Sequence, residues 1–195
     1  MTGILSRLCT PPHPPAEGGS TDWRRLAEHS GGGLALDLGS HILDILDFLF
    51  GPLEQVHGNA ANRLRAAEVE DTVSFCFRAG GVPGAGCWNF AAPIDEDLLE
   101  ITGTEGRISL AVFGDGPVTL SAAEGVRELP AANPEHVQQP LIDSVVHDLL
   151  GTDRCPSTGE SAARTSRVLD TILEGYYGGR SDEFWKRGDT WPGLT

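Results

Sequence analysis

Lysine is almost missing from this chain: Lys186 is the only one, and basic residues number 14 against 28 acidic ones. The resulting net charge of −14 excludes a nucleic-acid partner, because holding a phosphate backbone requires a basic face. Long apolar runs are missing too. No stretch approaches the ~20 consecutive apolar residues that a membrane helix requires. The opening segment Met1–Leu8 is too short, and too soon followed by Pro11, Pro12, Pro14 and Pro15, for a secretory leader. Cysteine is scattered: Cys9, Cys76, Cys87 and Cys155 contain no C-x-x-C pair, which removes zinc-ribbon and thioredoxin-like readings. A chain of 195 residues also has little need of the disulfides that staple small secreted domains. The expected compartment is the reducing cytoplasm.

With 39% apolar and 22% charged residues, the composition is that of an ordinary globular chain, and the length suits one domain over 1–195. Ile4–Cys9 reads as a strand, followed by a proline- and glycine-rich loop over 11–19. Ser20, Thr21 and Asp22 offer caps for a short helical turn over 24–28, and Ser30–Gly33 forms a hinge. Leu34–Phe50 is the clearest helix, closed by Gly51-Pro52. Short β-like runs follow at 56–63, 69–78, 86–91, 98–102, 107–113, 118–121 and 126–129. In the best of them Val73, Phe75 and Phe77 share one face while Ser74 and Cys76 share the other. His136–Leu150 carries an i, i+4 apolar stripe at 137, 141, 145 and 149, and a last helix runs from Thr158 or Ser161 to Tyr177. Helix, many strands, then two helices predicts a segregated α+β fold: an open, mostly antiparallel or mixed sheet of six or more strands with helices packed on one face.

The helix over 34–50 is apolar around most of its circumference, yet Asp37, His41 and Asp44 fall on one stripe, with Ser40 and Asp47 beside it. No lysine or arginine occurs from Leu26 to Asn62, so ion pairing within the helix does not explain the carboxylates. Asp37 and His41 are one turn apart, the spacing at which a carboxylate orients and tunes an imidazole for general acid–base work. A solvated acidic face is the plain alternative; a metal site built on Asp37, His41 and Asp44 is a weaker one, short of a further strong ligand.

The run from Ser30-Gly-Gly-Gly33 through Asp37, Gly39, His41 and Asp44 to Gly51 resembles the G-G-G-x-x-x-D-x-G-x-H-x-x-D signature of the glucose–fructose oxidoreductase/inositol dehydrogenase (Gfo/Idh/MocA) family. Trp23-Arg24 before it, the Ile101–Gly106 turn, Glu135–Pro140 and the helix after Pro156–Gly159 extend the resemblance over nearly the whole chain.

That resemblance implies an oxidoreductase of two parts: an N-terminal Rossmann domain that binds NAD or NADP, and a C-terminal α+β substrate domain, which this chain looks like. It implies His41 as the catalytic acid–base, Asp37 as its acidic partner, and Trp23, Arg24 and Asp44 at the substrate, a sugar, polyol or related compound. The family's catalytic lysine in a Glu-Lys-Pro motif has no counterpart here. A G-x-G-x-x-G phosphate cradle is missing as well: Gly114–Gly116 runs into a strand and Gly81–Gly86 has the wrong spacing, so both read as turns. Cofactor binding therefore falls mainly to a domain outside this chain, and the chain alone is expected to be inactive. Ile4–Cys9 reads as the first strand of the second domain, as in a fragment beginning after the Rossmann part. A homo-oligomer through the open sheet face, or pairing with a separate Rossmann subunit, is the expected assembly. The rival reading is a non-catalytic oligomerisation or partner-binding module.

Overall fold

A computed structural model describes residues 1–12, 23–181 and 183–194; most of the loop and the capping run expected before Trp23 lie outside them. Among the described residues eight strands form one sheet: β1 (Gly3–Cys9), β2 (Leu53–Ala61), β3 (Thr72–Ala79), β4 (Val82–Asn89), β5 (Glu96–Thr102), β6 (Gly106–Leu110), β7 (Val118–Ala122) and β8 (Gly125–Leu129). Their order is β2-β3-β4-β1-β5-β6-β7-β8. Only β1 and β4 run parallel; every other neighbouring pair is antiparallel. The mixed α+β expectation holds, and the first strand lies in the middle of the sheet.

The helices are α1 (Ala27–Ser30), α2 (Leu34–Phe50), α3 (Gln139–Leu149) and α4 (Gly159–Tyr177), with a 3-10 turn at Trp23–Arg25 and a longer one at Phe184–Thr190. The expected bounds of the helix over 34–50 are met at both ends. Gly33 starts it in an extended conformation and Gly51 stops it with φ of 81°. Thr158 and Ser161 form a reciprocal capping box for α4, and Gly178 ends that helix in the left-handed region.

The core lies between these two helices and the β2–β3–β4–β1–β5 part of the sheet. Val73, Phe75, Phe77 and Ala79 of β3 point into it while Ser74, Cys76 and Arg78 face out, the two-residue period of a half-buried strand. Ile42, Leu43 and Leu46 of α2 meet Ile172 and Leu173 of α4 there, and Trp88 of β4 is fully buried. Trp88 donates its indole N–H to the buried Ser6 hydroxyl at 3.1 Å, so the polar edge of this large ring costs nothing. The C-terminal aromatics fold back on the core: Tyr176, Tyr177, Phe184 and Trp191 are buried, with Tyr177 and Trp191 edge to face at 4.7 Å.

One expected turn is in part a strand. Gly81 sits at the β3–β4 turn, but Gly84 and Gly86 lie within β4, against the rings of Phe77 and Phe75 across the pair. The glycines that read as loop residues are there to admit the aromatic faces of β3. The α3 stripe also differs from an ordinary amphipathic helix: Val137, Leu141, Val145 and Leu149 are all exposed, and α3 contributes no buried residue.

Candidate active site on the second helix

Two close approaches set α2 in place. Gly39 faces the Trp88 ring, and a Cβ there would overlap it; the glycine between Asp37 and His41 is thus a packing requirement. Gly33 lies against Glu70. A Cβ at Gly33 would overlap the Glu70 carbonyl oxygen and come within 2.9 Å of its carboxyl carbon. In return the Gly33 amide donates to both Glu70 oxygens, at 3.0 and 2.9 Å.

With the helix so seated, Asp37 and Asp44 are half-buried, His41 is exposed and Asp47 is buried. The stripe is therefore not a plain solvated face. Nor do its carboxylates lack cations. Arg24 donates from Nε to Asp37 Oδ2 at 2.8 Å, and Arg164 of α4 clasps Asp47 through Nε at 3.0 Å and through its terminal nitrogen at 2.6 Å. Both arginines come from outside the arginine-free window, which is why the helix alone did not reveal them.

Arg24 also lies over the Trp23 indole, 4.6 Å from the ring centroid, a cation–π arrangement. Trp23, Arg24 and Asp37 are thus brought together as one stack. His41 stands one turn beyond Asp37. Among the described residues no hydrogen bond joins the two side chains; instead the Phe113 ring stands perpendicular to the imidazole, centroids 5.9 Å apart. Phe113 is held by Asp97 of β5, whose carboxylate accepts the backbone amides of Val112 and Phe113 at 3.0 and 2.6 Å. Asp44 faces a shallow cleft between α2 and α3, shared with Phe48, Leu141 and Ser144. His136 is exposed just before α3 and its carbonyl accepts the Gln139 amide.

Sequence reasoning missed Glu70, Asp97 and Phe113. The signal for Glu70 was present: a glutamate flanked by Val69 and the start of a strand is an odd core residue, and it is only 2% exposed. Burial pushes its carboxyl above the usual glutamate range, against the pull of the Tyr177 hydroxyl and the Gly33 amide. The Tyr177 hydroxyl donates to Glu70, and burial followed by the Glu70 charge pushes its own pKa up.

Among the described residues, no three of His, Cys, Asp and Glu converge as a metal site would require. The glycines of 81–86 and 114–116 do not form a diphosphate cradle either. Those of β4 pack on aromatic rings, and Gly114 and Gly116 lie in the β6–β7 loop. The described residues do not fit a dinucleotide's phosphates, whose cradle is a strand–glycine turn–helix.

A mixed eight-stranded sheet thus carries a glycine-seated helix that presents an aspartate and a histidine. Residues 5–109 match the model of the GFO/IDH/MocA C-terminal domain, and the chain belongs to that oxidoreductase family. It is similar to Oxidoreductase P35 of Formosa agariphila, 32% identical over 151 residues, which are 77% of this chain and 46% of the relative. Among solved structures, an NAD-binding oxidoreductase from Klebsiella pneumoniae superposes with a TM-score of 0.73 at 18% identity, covering 88% of this chain and 55% of its own. Levoglucosan dehydrogenase in complex with NADH and levoglucosan gives a TM-score of 0.69, also at 18% identity, covering 89% and 56%. The chain spans about half the length of these relatives. No helix among the described residues is long and apolar enough to cross a membrane.

Proposed function

We propose that this chain is the substrate-binding half of an NAD(P)-dependent dehydrogenase acting on a sugar, polyol or related hydroxyl or carbonyl compound, with His41 as the group that moves the proton. The observation that carries this reading is an exposed imidazole at mid-helix, one turn from a carboxylate, within the chain's match to an oxidoreductase family. Oxidation of an alcohol requires its hydroxyl proton to leave, and a neutral imidazole on an open face can take it. Asp37 gives Oδ2 to Arg24 and keeps Oδ1, which makes no other hydrogen bond among the described residues, for the imidazole or the substrate. Arg24 and Trp23 supply donors and a flat apolar face, the pairing that suits a polyhydroxylated ring, and Asp44 adds an acceptor farther along the helix. NAD or NADP would be held mainly by a Rossmann domain outside this chain, so the chain alone is expected to be inactive.

The test is His41→Ala in a two-domain protein of the length of its relatives. Turnover should fall by about 10²–10⁴-fold, the usual worth of a positioned acid–base, with dinucleotide affinity unchanged. An unchanged turnover overturns the assignment.

A second reading, a non-catalytic interaction module, is favoured by the bare α3 stripe and by β8, exposed along its whole length. Apolar surface of that kind calls for a partner, either a second copy across the open sheet or a separate Rossmann subunit. Light scattering of the purified chain at micromolar concentration tests self-association, and a clean monomer counts against it.

A further inference from the structure

Glu70 takes no part in the chemistry proposed above, yet it is the buried carboxylate nearest the start of the site helix. It lies in the loop just before β3, only 2% exposed, and its two oxygens receive the Gly33 amide. The Tyr177 hydroxyl, from the last turn of α4, donates to it from behind. Beside it, Arg180 donates to the Gly31 carbonyl at 2.7 Å while its other nitrogens hold Asp170 of α4 at 2.7 and 3.0 Å. The glycine run that opens α2 is therefore held at two points, by groups from the β2–β3 loop and from α4 and its end.

We propose that Glu70 is a positioning residue of the site: by accepting the Gly33 amide it sets where α2 begins, and thereby where Asp37 and His41 stand. Three features argue for a specific device over generic packing. A carboxylate in the core is costly unless its lone pairs are filled, and an apolar residue of the same volume would fill the space without that cost. The acceptor sits at the helix N-terminus, where backbone amides have no partner within the helix and need one. Finally, a Cβ at Gly33 would meet the Glu70 backbone carbonyl first and its carboxyl group at 2.9 Å, so the amide reaches the carboxylate only because residue 33 has no side chain. From Gly33 the effect passes along one turn of helix to Asp37, whose carboxylate meets Arg24, and along a second to His41.

The catalytic meaning of this placement rests on the reading of Asp37 and His41 as the acid–base pair, but the placement itself is measurable on the chain as it stands. Amide hydrogen exchange would be followed by NMR in the native chain, Glu70→Asp and Glu70→Gln. Aspartate keeps the charge but withdraws the carboxylate by one methylene; glutamine keeps the reach. In Glu70→Asp, exchange at the Gly33 and Asp37 amides and at the Arg24 Nε–H should rise at least tenfold. In Glu70→Gln the same signals should stay within threefold of native. Val73 and Leu99, in the sheet, should keep native rates in both.

Native rates at Gly33 and Asp37 in Glu70→Asp overturn the proposal. So does an equal rise throughout the sheet, which would mark general destabilisation, or a glutamine variant that fares no better than the aspartate one. The His41→Ala turnover test is separate. If it fails while the exchange pattern appears, the acid–base reading is wrong and Glu70 still sets the helix; the converse result discards Glu70 alone.

Discussion

The two ends of the sheet are built differently. From β2 to β5, one face lies under α2 and α4 and holds the buried aromatic and aliphatic residues, with Trp88 and Leu99 wholly enclosed. From β6 to β8 the strands contribute no buried residue, and Ile108, Val126 and Leu129 are exposed. Helix α3 belongs with this second region: its stripe is apolar but its surface is bare. A sheet edge holds together by its ladder hydrogen bonds, whereas the covered part adds burial at roughly 25 cal/mol per Å² of apolar area. The stability of the chain therefore resides in the covered half, and the candidate site stands on that half, on α2. The uncovered half leaves its apolar side chains exposed.

Several substitutions would break or sharpen that contrast, and chemical or thermal denaturation reads all of them. Trp88→Ala should cost about 3–5 kcal/mol, as for other large buried aromatics; a loss below 1 kcal/mol would mean the covered half is not the seat of stability. Gly39→Ala forces a methyl against the Trp88 ring and should cost about 1–3 kcal/mol by overpacking, with α2 and its site displaced.

Glu70→Gln should show a pH signature. Because burial raises the folded carboxyl's pKa, the native state binds the proton more tightly than the unfolded one. Glu70's contribution is thus greatest at low pH and is lost as pH rises from the ordinary glutamate value of 4.5. Thermal melts from pH 4 to 7 should move in favour of the glutamine variant as pH increases, by at most ~1.4 kcal/mol per pH unit for one proton. A difference that does not change with pH would refute the burial argument. At the other end of the molecule, Val126→Ala and Leu129→Ala should change stability by less than about 0.5 kcal/mol in the isolated chain. A larger loss there would reveal that β8 is already covered in solution.

The elements were legible where their signals were local. Gly33, Gly51 and the apolar run between them mark both ends of α2, and alternation marks β3, because caps and periodicities act over a few residues. The start of β4 was hidden because its glycines resemble a turn until the Phe75 and Phe77 rings are seen across the pair. At the candidate site, the motif named Asp37, His41 and Asp44 and the resemblance added Trp23 and Arg24; in the structure Arg24 meets Asp37 and lies over the Trp23 ring. Phe113 was not legible: it reaches His41 only because Asp97 of β5 holds its loop.

The sequence by itself determined the helix that carries the site, the alternating strands and the family to which the chain belongs. Each of these is written in spacings of two, three or four residues, or in a contiguous motif. Only the tertiary structure decided which distant residues meet that helix. Asp37 meets Arg24, Gly33 meets Glu70 and Asp47 meets Arg164, pairs separated by 13, 37 and 117 residues. Those separations exceed any local period, and the partners are chosen by which strands and helices pack side by side. The same packing covers one end of the sheet and leaves α3 and β8 open, which no pattern along the chain records.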